Sequence, residues 1–185
     1  MRRVFWPMIG LMALLLPVTI TGAAQAATAI PASNCGTPQP QRCDDLLQNQ
    51  APLTLNLGNS NGNAILFTND GSPTQRWDIY QLADGNYVIY SHGTNNVLTR
   101  GGSCDVTGAT YLYCAIVEPQ GNPTPDDQQW IELSVDPFMF QSLGSGGRCL
   151  DNPNGVASPG QRAVLFPCDP LNPDAPEDWL AKSSE

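Results

Sequence analysis

The sequence predicts an all-β fold built from three repeats, and three observations carry that prediction. The tripeptides Gln75-Arg76-Trp77, Gln128-Gln129-Trp130 and Glu177-Asp178-Trp179 place tryptophans 53 and 49 residues apart, a near-regular period of the kind that marks repeat architectures. An apolar triplet precedes each of them: Ile65-Leu66-Phe67, Tyr111-Leu112-Tyr113 and Val164-Leu165-Phe166. No window has a helical period, whereas short alternating runs bounded by Gly, Pro, Asn and Asp recur throughout, giving about twelve short strands. Units of four short strands cannot bury their apolar side alone, so three copies are expected to close around a shared core.

The first 26 residues read as an export signal. Arg2 and Arg3 form a basic start, an apolar run broken by two prolines extends from Val4 to Ile20, and Ala24-Gln25-Ala26 has the small residues of a cleavage site. Removal of this segment leaves about 159 residues, the size of one domain. Residues 27 to 52 carry Pro31, Pro38, Pro40 and Pro52 and few large apolar residues before Leu46 and Leu47. They read as an extended tail, serving either as a linker or as an arm that docks on a partner.

From residue 53 the pattern turns strand-like. Leu53, Leu55 and Leu57 alternate with Thr54 and Asn56, as on a strand with one buried face. A glycine- and asparagine-rich turn leads to Ile65–Phe67, and a polar loop leads on to Trp77. Residues 79 to 82 and 87 to 90 flank Asp84-Gly85, a hairpin signal. Ile131, Leu133 and Val135 repeat the alternation, and Asp136-Pro137 turns the chain toward Phe138. The third repeat runs from Gly147-Arg148-Cys149-Leu150-Asp151 through Val164-Leu165-Phe166-Pro167-Cys168 to Trp179.

Charge and cysteine content narrow the function classes. The chain has 8 basic and 17 acidic residues; without Arg2 and Arg3 the balance is six against 17, a mature charge near −11. With a single lysine, Lys182, it lacks the clustered cations that bind phosphates, so no direct nucleic-acid ligand is expected. Six cysteines in an exported protein imply disulfides. Of the 15 pairings six cysteines allow, the simplest is local: Cys35 with Cys43, Cys104 with Cys114, and Cys149 with Cys168. Metal binding is not expected, since there is no Cys-x-x-Cys and His92 is the only histidine. That histidine lies in a turn-like Ser-His-Gly-Thr, leaving no base for a nucleophile, and paired carboxylates are uninformative among 17 acids. No enzymatic activity and no cofactor are expected.

The tryptophan tripeptides and the Cys149-Leu150-Asp151 segment resemble the Gln-x-Trp repeats of ricin-type β-trefoil lectins over roughly residues 53 to 180. The resemblance implies a β-trefoil over 53–185 preceded by the tail, with Trp77, Trp130 and Trp179 as equivalent structural residues. It also places the Cys149–Cys168 pair at the family's intra-repeat bridge. Sugar binding is the activity implied; it needs an aromatic ring for the apolar face of a pyranose, with a carboxylate and an amide for its hydroxyls. In the third repeat Asp151 falls on the carboxylate position and Phe166 on the stacking aromatic, with Asn152 beside them, but Pro176 replaces the amide. The first repeat offers Phe67, with Thr74 at the amide position. The second offers Tyr113, with Asn96-Val97-Leu98-Thr99 in place of Cys-Leu-Asp. No repeat carries a complete set.

A narrower resemblance covers the run from Phe140 to Leu150, the Asn152-Pro153 step, Val164 to Asp169, and the segments Trp77–Leu82 and Tyr87–Tyr90. These are similar to the A and C subunits of cytolethal distending toxins, exported trefoils with non-globular tails. That similarity implies a non-enzymatic scaffold that binds the cell surface and, with a second trefoil subunit, holds and delivers a nuclease of DNase I type. The alternative is a free-standing carbohydrate-binding lectin. Residues 30–34 form no lipid-attachment signal before Cys35, which places the chain nearer the C subunit in processing, and no cholesterol-recognition pattern follows Tyr90. Secretion, or export to the periplasm, is implied.

Overall fold

The computed structural model describes residues 42–49, 53–58, 62–135, 137–153, 158–171 and 178–182. The expected export signal, Cys35, most of the tail, Pro176 and Glu177 lie outside them. Among the described residues there are fourteen strands. These are β1 (Arg42–Asn49), β2 (Leu53–Leu57), β3 (Ala64–Thr68), β4 (Arg76–Gln81), β5 (Tyr87–Ser91), β6 (Asn96–Arg100) and β7 (Cys104–Val106). They continue as β8 (Ala109–Tyr111), β9 (Tyr113–Pro119), β10 (Trp130–Val135), β11 (Phe138–Ser142), β12 (Arg148–Asp151), β13 (Val164–Pro167) and β14 (Trp179–Lys182).

Six strands close a ring. β1 pairs with β4, β4 with β5, β5 with β10, β10 with β11, β11 with β14, and β14 returns to β1, all antiparallel. Closure leaves this barrel without an unpaired edge. Three hairpins, β2–β3, β6–β9 and β12–β13, cap one end. They join one another through β9–β13 pairing and the bridges Asn63–Ile116 and Ile65–Arg162. The architecture is a β-trefoil.

The threefold relation is explicit in the hydrogen bonds. The indole N–H of Trp77 donates to the carbonyl of Leu55 at 2.9 Å, that of Trp130 to Leu98 at 3.0 Å, and that of Trp179 to Leu150 at 3.0 Å. Each tryptophan is fully buried in the common core. Each also lies between the first strand of its own repeat and that of the next: Trp77 opposite Asp45 and Ser91, Trp130 opposite Tyr87 and Ser142, Trp179 opposite Phe138 and Asn49. The glutamines of the tripeptides are buried clamps. Gln75 accepts from the N–H of Asp70 at 3.0 Å and donates to the carbonyl of Thr68 at 2.7 Å. Gln128 accepts from Gly121 at 2.7 Å and donates to Pro119 at 3.0 Å. A side-chain amide, offering donor and acceptor together, thus ties down the loop that follows the third strand of its repeat.

Two expectations are corrected. Residues 42–49, read as tail, form β1, with Leu46 and Leu47 buried and with β4 and β14 on either side. The trefoil therefore begins before residue 53, because the ring has no other strand to bridge β4 and β14. Burial in β1 also raises the carboxyl of Asp45 above the ordinary aspartate range. The second correction concerns Tyr111–Tyr113, read as the third strand of the second repeat. The registers Leu55–Leu66, Leu98–Val117 and Leu150–Leu165 show that Ile116-Val117-Glu118 holds that place. The displacement comes from an inserted hairpin, β7–β8, with its own small core of Val106, Tyr111 and Val164. From the leucine to the tryptophan the separation is 22 residues in the first repeat and 32 in the second.

Cys104–Cys114 clasps the inserted hairpin and Cys149–Cys168 links the strands of the third cap. Cys43 is oxidised, and its expected pairing with Cys35 falls outside the described residues. Replacing both Cys149 and Cys168 with alanine is expected to lower stability by about 2–4 kcal/mol, the usual effect of freeing a short loop in the unfolded chain. The check is the urea midpoint, which should fall with little change of slope.

Candidate functional site

The strand registers fix three equivalent surface positions. The residue after the conserved-place leucine of the second strand is Asn56, Thr99 or Asp151, and the residue after its partner on the third strand is Phe67, Glu118 or Phe166. These are the places at which the ricin-type resemblance puts the polar and stacking groups. The structure brings Asp151 and Phe166 together on β12 and β13 of the third repeat, and Asn56 and Phe67 on β2 and β3 of the first.

The first repeat has an open groove of about 1100 Å³. Asn56, Phe67, Asp70, Thr74, Asn96 and Glu118 contribute to its walls, with glycines between them. The Phe67 ring is 36% exposed, an unusual state for phenylalanine on a structured strand. Asn56 is only 7% exposed, and among the described residues its side-chain amide has no hydrogen-bond partner. An amide in that position can exchange hydrogen bonds with polar atoms that enter the groove. Gln75 fixes the loop that carries Asp70, and Ser72 and Thr74 share a hydroxyl hydrogen bond of 2.7 Å on the same loop. Gly58 belongs to this wall, where an added Cβ would lie 2.7 Å from the carbonyl oxygen of Asn63.

In the third repeat Phe166 is 52% exposed and Asp151 is buried. The Asp151 carboxylate accepts from the backbone N–H of Asn152. Asn152 is occupied internally: its side-chain oxygen accepts from Asn49 at 2.7 Å, tying the end of β12 to β1. Residues 154–157 and 172–177 lie outside the described set.

Tyr113 is not at the stacking position of the second repeat. It pairs with Leu165, packs against the main core, and has the Arg100 guanidinium 4.7 Å from its ring centroid. Glu118 occupies the position instead, because the insertion moves the true third strand along the chain, from Tyr113 to Glu118 at this position. Sequence reasoning also passed over Asp70, Asn96 and Asn56 as groove residues. Asn56 was recoverable from the alignment of Leu55-Asn56 with Leu150-Asp151; Asp70 and Asn96 gave no signal of their own.

A second polar cluster joins Cys43, Asp78 and His92, whose ligating atoms lie within 4.8 Å of one another. His92 Nδ1 contacts the buried Asp78 carboxylate at 2.9 and 3.1 Å, and that carboxylate also accepts from Asp44 N–H at 2.8 Å. Cys43 is in a disulfide, so its sulfur is not a thiolate ligand, and the cluster serves to fasten β1 to β4 and the turn after β5.

A six-stranded barrel and three hairpin caps, two of them with paired polar and aromatic positions, define a β-trefoil. No protein-family model matches the chain, and no curated protein matches it in sequence. Among solved structures it is similar in fold to the Haemophilus ducreyi cytolethal distending toxin, at 17% identity and a TM-score of 0.55, over 81% of this chain and 94% of that one. It is likewise similar to a Macrolepiota procera ricin B-like lectin in complex with lactose, at 16% identity and a TM-score of 0.54, over 75% and 94%. A designed threefold-symmetric protein, ThreeFoil, is similar at 23% identity and a TM-score of 0.58, over 76% and 97%.

Proposed function

We propose that this protein is an exported, non-enzymatic, glycan-binding trefoil that serves as a cell-surface-binding and scaffold subunit of a toxin-like complex. The observation that carries the sugar-binding part is the first-repeat groove, where an exposed aromatic residue, Phe67, and a nearly buried amide residue, Asn56, with no side-chain hydrogen bond among the described residues, line one cavity. Phe67 stacks on the apolar face of a pyranose while Asn56 takes its hydroxyls. Asp151 and Phe166 form a second, smaller site in the third repeat. Each site is shallow and lacks part of the family's ligand set, so single-site affinity is about millimolar, near −4 kcal/mol. Firm attachment to a cell then needs clustered glycans or a second trefoil.

The toxin part rests on the motif resemblance to cytolethal distending toxin A and C subunits and on the shared fold. On this reading the segment before β1 docks on the nuclease subunit of DNase I type or on the second trefoil, and the signal at 1–26 directs export. Disulfides agree with an extracellular setting. The acidic chain does not itself bind nucleic acid.

Binding of lactose-type glycans clustered on a polymer tests the site. Phe67→Ala is expected to weaken it at least about tenfold, near 1.4 kcal/mol, and Asn56→Ala by a similar factor, with unchanged thermal stability for the exposed Phe67. Undiminished binding by Phe67→Ala together with loss in Phe166→Ala and Asp151→Ala would move the main site to the third repeat. Co-purification with a nuclease subunit and a second trefoil, lost on deletion of residues 27–41, tests the scaffold role.

A further inference from the structure

We propose that the first-repeat groove selects uncharged glycan termini and rejects sialylated or sulfated ones, with Asp70 and Glu118 setting that choice. The inference rests on the sugar-binding reading and adds its ligand class. Among the described residues, the only charged side chains lining the groove are these two carboxylates, and no Lys, Arg or His contributes to its walls. Neither belongs to an ion pair among the described residues. Asp70 accepts from the N–H of Ser72 at 2.9 Å, and Glu118 has a single long contact, 3.4 Å from the Gln128 amide. Both carboxylates therefore line the same groove as the exposed Phe67, with no cationic partner among the described residues.

The origin of Glu118 is specific. It comes from β9 of the second repeat, at the register position where the first and third repeats hold phenylalanine. Exchange of an aromatic for an acid removes one stacking surface and adds a charge to the wall of the neighbouring groove. A sialate carboxylate or a sulfate entering there would be desolvated without a cation. It would also meet repulsion from like charges on the same walls, an effect that persists over a screening length of ~8 Å. A neutral hexose meets the opposite situation, since its hydroxyls donate to the same carboxylates in charge-assisted hydrogen bonds.

The test uses the full mature protein and three polymer-clustered probes: N-acetyllactosamine, its sialylated trisaccharide, and a neutral trisaccharide of the same length. Wild type is expected to bind the sialylated probe at least about tenfold more weakly than the neutral trisaccharide, a difference of ~1.4 kcal/mol, and high salt should narrow the gap. Asp70→Asn with Glu118→Gln should bring that ratio below about threefold, under ~0.7 kcal/mol, whatever the pair does to neutral binding. Equal rejection of both trisaccharides would make size the selector and overturn the proposal. A gap that survives in the double variant would assign it to the overall acidity and overturn it as well. Binding of both trisaccharides within about twofold by wild type would refute charge selection while leaving sugar binding intact. Binding of none of the three would overturn the sugar-binding reading itself.

Discussion

Replacing Trp130 with alanine is expected to destabilise the protein by about 3–5 kcal/mol, the range for truncating a large buried aromatic. The indole is fully buried at the seam between the second and third repeats, and its N–H saturates the carbonyl of Leu98. Removal therefore opens a cavity and leaves a buried acceptor unpaired, two penalties in one substitution. Trp77→Ala and Trp179→Ala should behave alike, because their bonds to Leu55 and Leu150 reproduce the geometry. Trp130→Phe separates the two effects, retaining most of the volume while losing the hydrogen bond, and should cost about 1–3 kcal/mol for the carbonyl left unpaired. Chemical denaturation of the four variants checks the series. A loss confined to one tryptophan would contradict the threefold equivalence.

The second large effect is expected from β1. A chain beginning at residue 53 loses the strand that joins β4 to β14, leaving both with unpaired edges. An opened barrel of this kind exposes backbone donors and acceptors along two strands and invites edge-to-edge association. The truncated protein should lose its cooperative unfolding transition and aggregate. Leu47→Ala is the milder probe: its side chain is fully buried in the main core, and the expected loss is about 2–5 kcal/mol. A soluble, cooperatively folding product from the truncation would show that 42–49 is an appendage after all.

The contrast between these two effects shows what local sequence encodes. The tryptophans were legible because a large aromatic at a fixed interval, preceded by Gln or Glu and a polar loop, repeats within the chain. β1 was not, since its two leucines stand among Arg42, Asp44, Asp45, Gln48 and Asn49, and its partner Lys182 to Trp179 lies at the far end of the chain. Strand pairing over that separation leaves no periodic trace; it is decided by the vacancy the other five barrel strands leave. The second repeat misled for a different reason. Tyr111-Leu112-Tyr113 looks more strand-like than Ile116-Val117-Glu118, yet it belongs to the inserted hairpin and its boundary. Once that insertion is counted, Glu118 falls on the stacking position and Tyr113 leaves it. Asp70 and Asn96 reach the groove from loop and strand ends that only the folded barrel brings side by side.

The glutamine clamps refine the meaning of the Gln-x-Trp pattern in this chain. Gln75 and Gln128 are buried and spend both amide atoms on backbone groups of the preceding loop. They hold these loops in place, and neither is among the residues that line the first-repeat groove. Asn152, beside the candidate carboxylate of the third repeat, is similarly engaged with Asn49. Polar residues near the proposed sugar sites thus divide into those that hold the loops and those that line the groove, and Asn56 is of the second kind.

The most direct measurement is a titration of the isotope-labelled mature protein with lactose, followed by amide and side-chain NMR shifts. The account predicts saturable shifts at millimolar sugar centred on the Asn56 side-chain amide, Phe67, the loop at Asp70 to Thr74, and Glu118, with a weaker set around Asp151 and Phe166. Saturable shifts confined to other faces, or none at sugar concentrations far above the ~millimolar expectation, would contradict it.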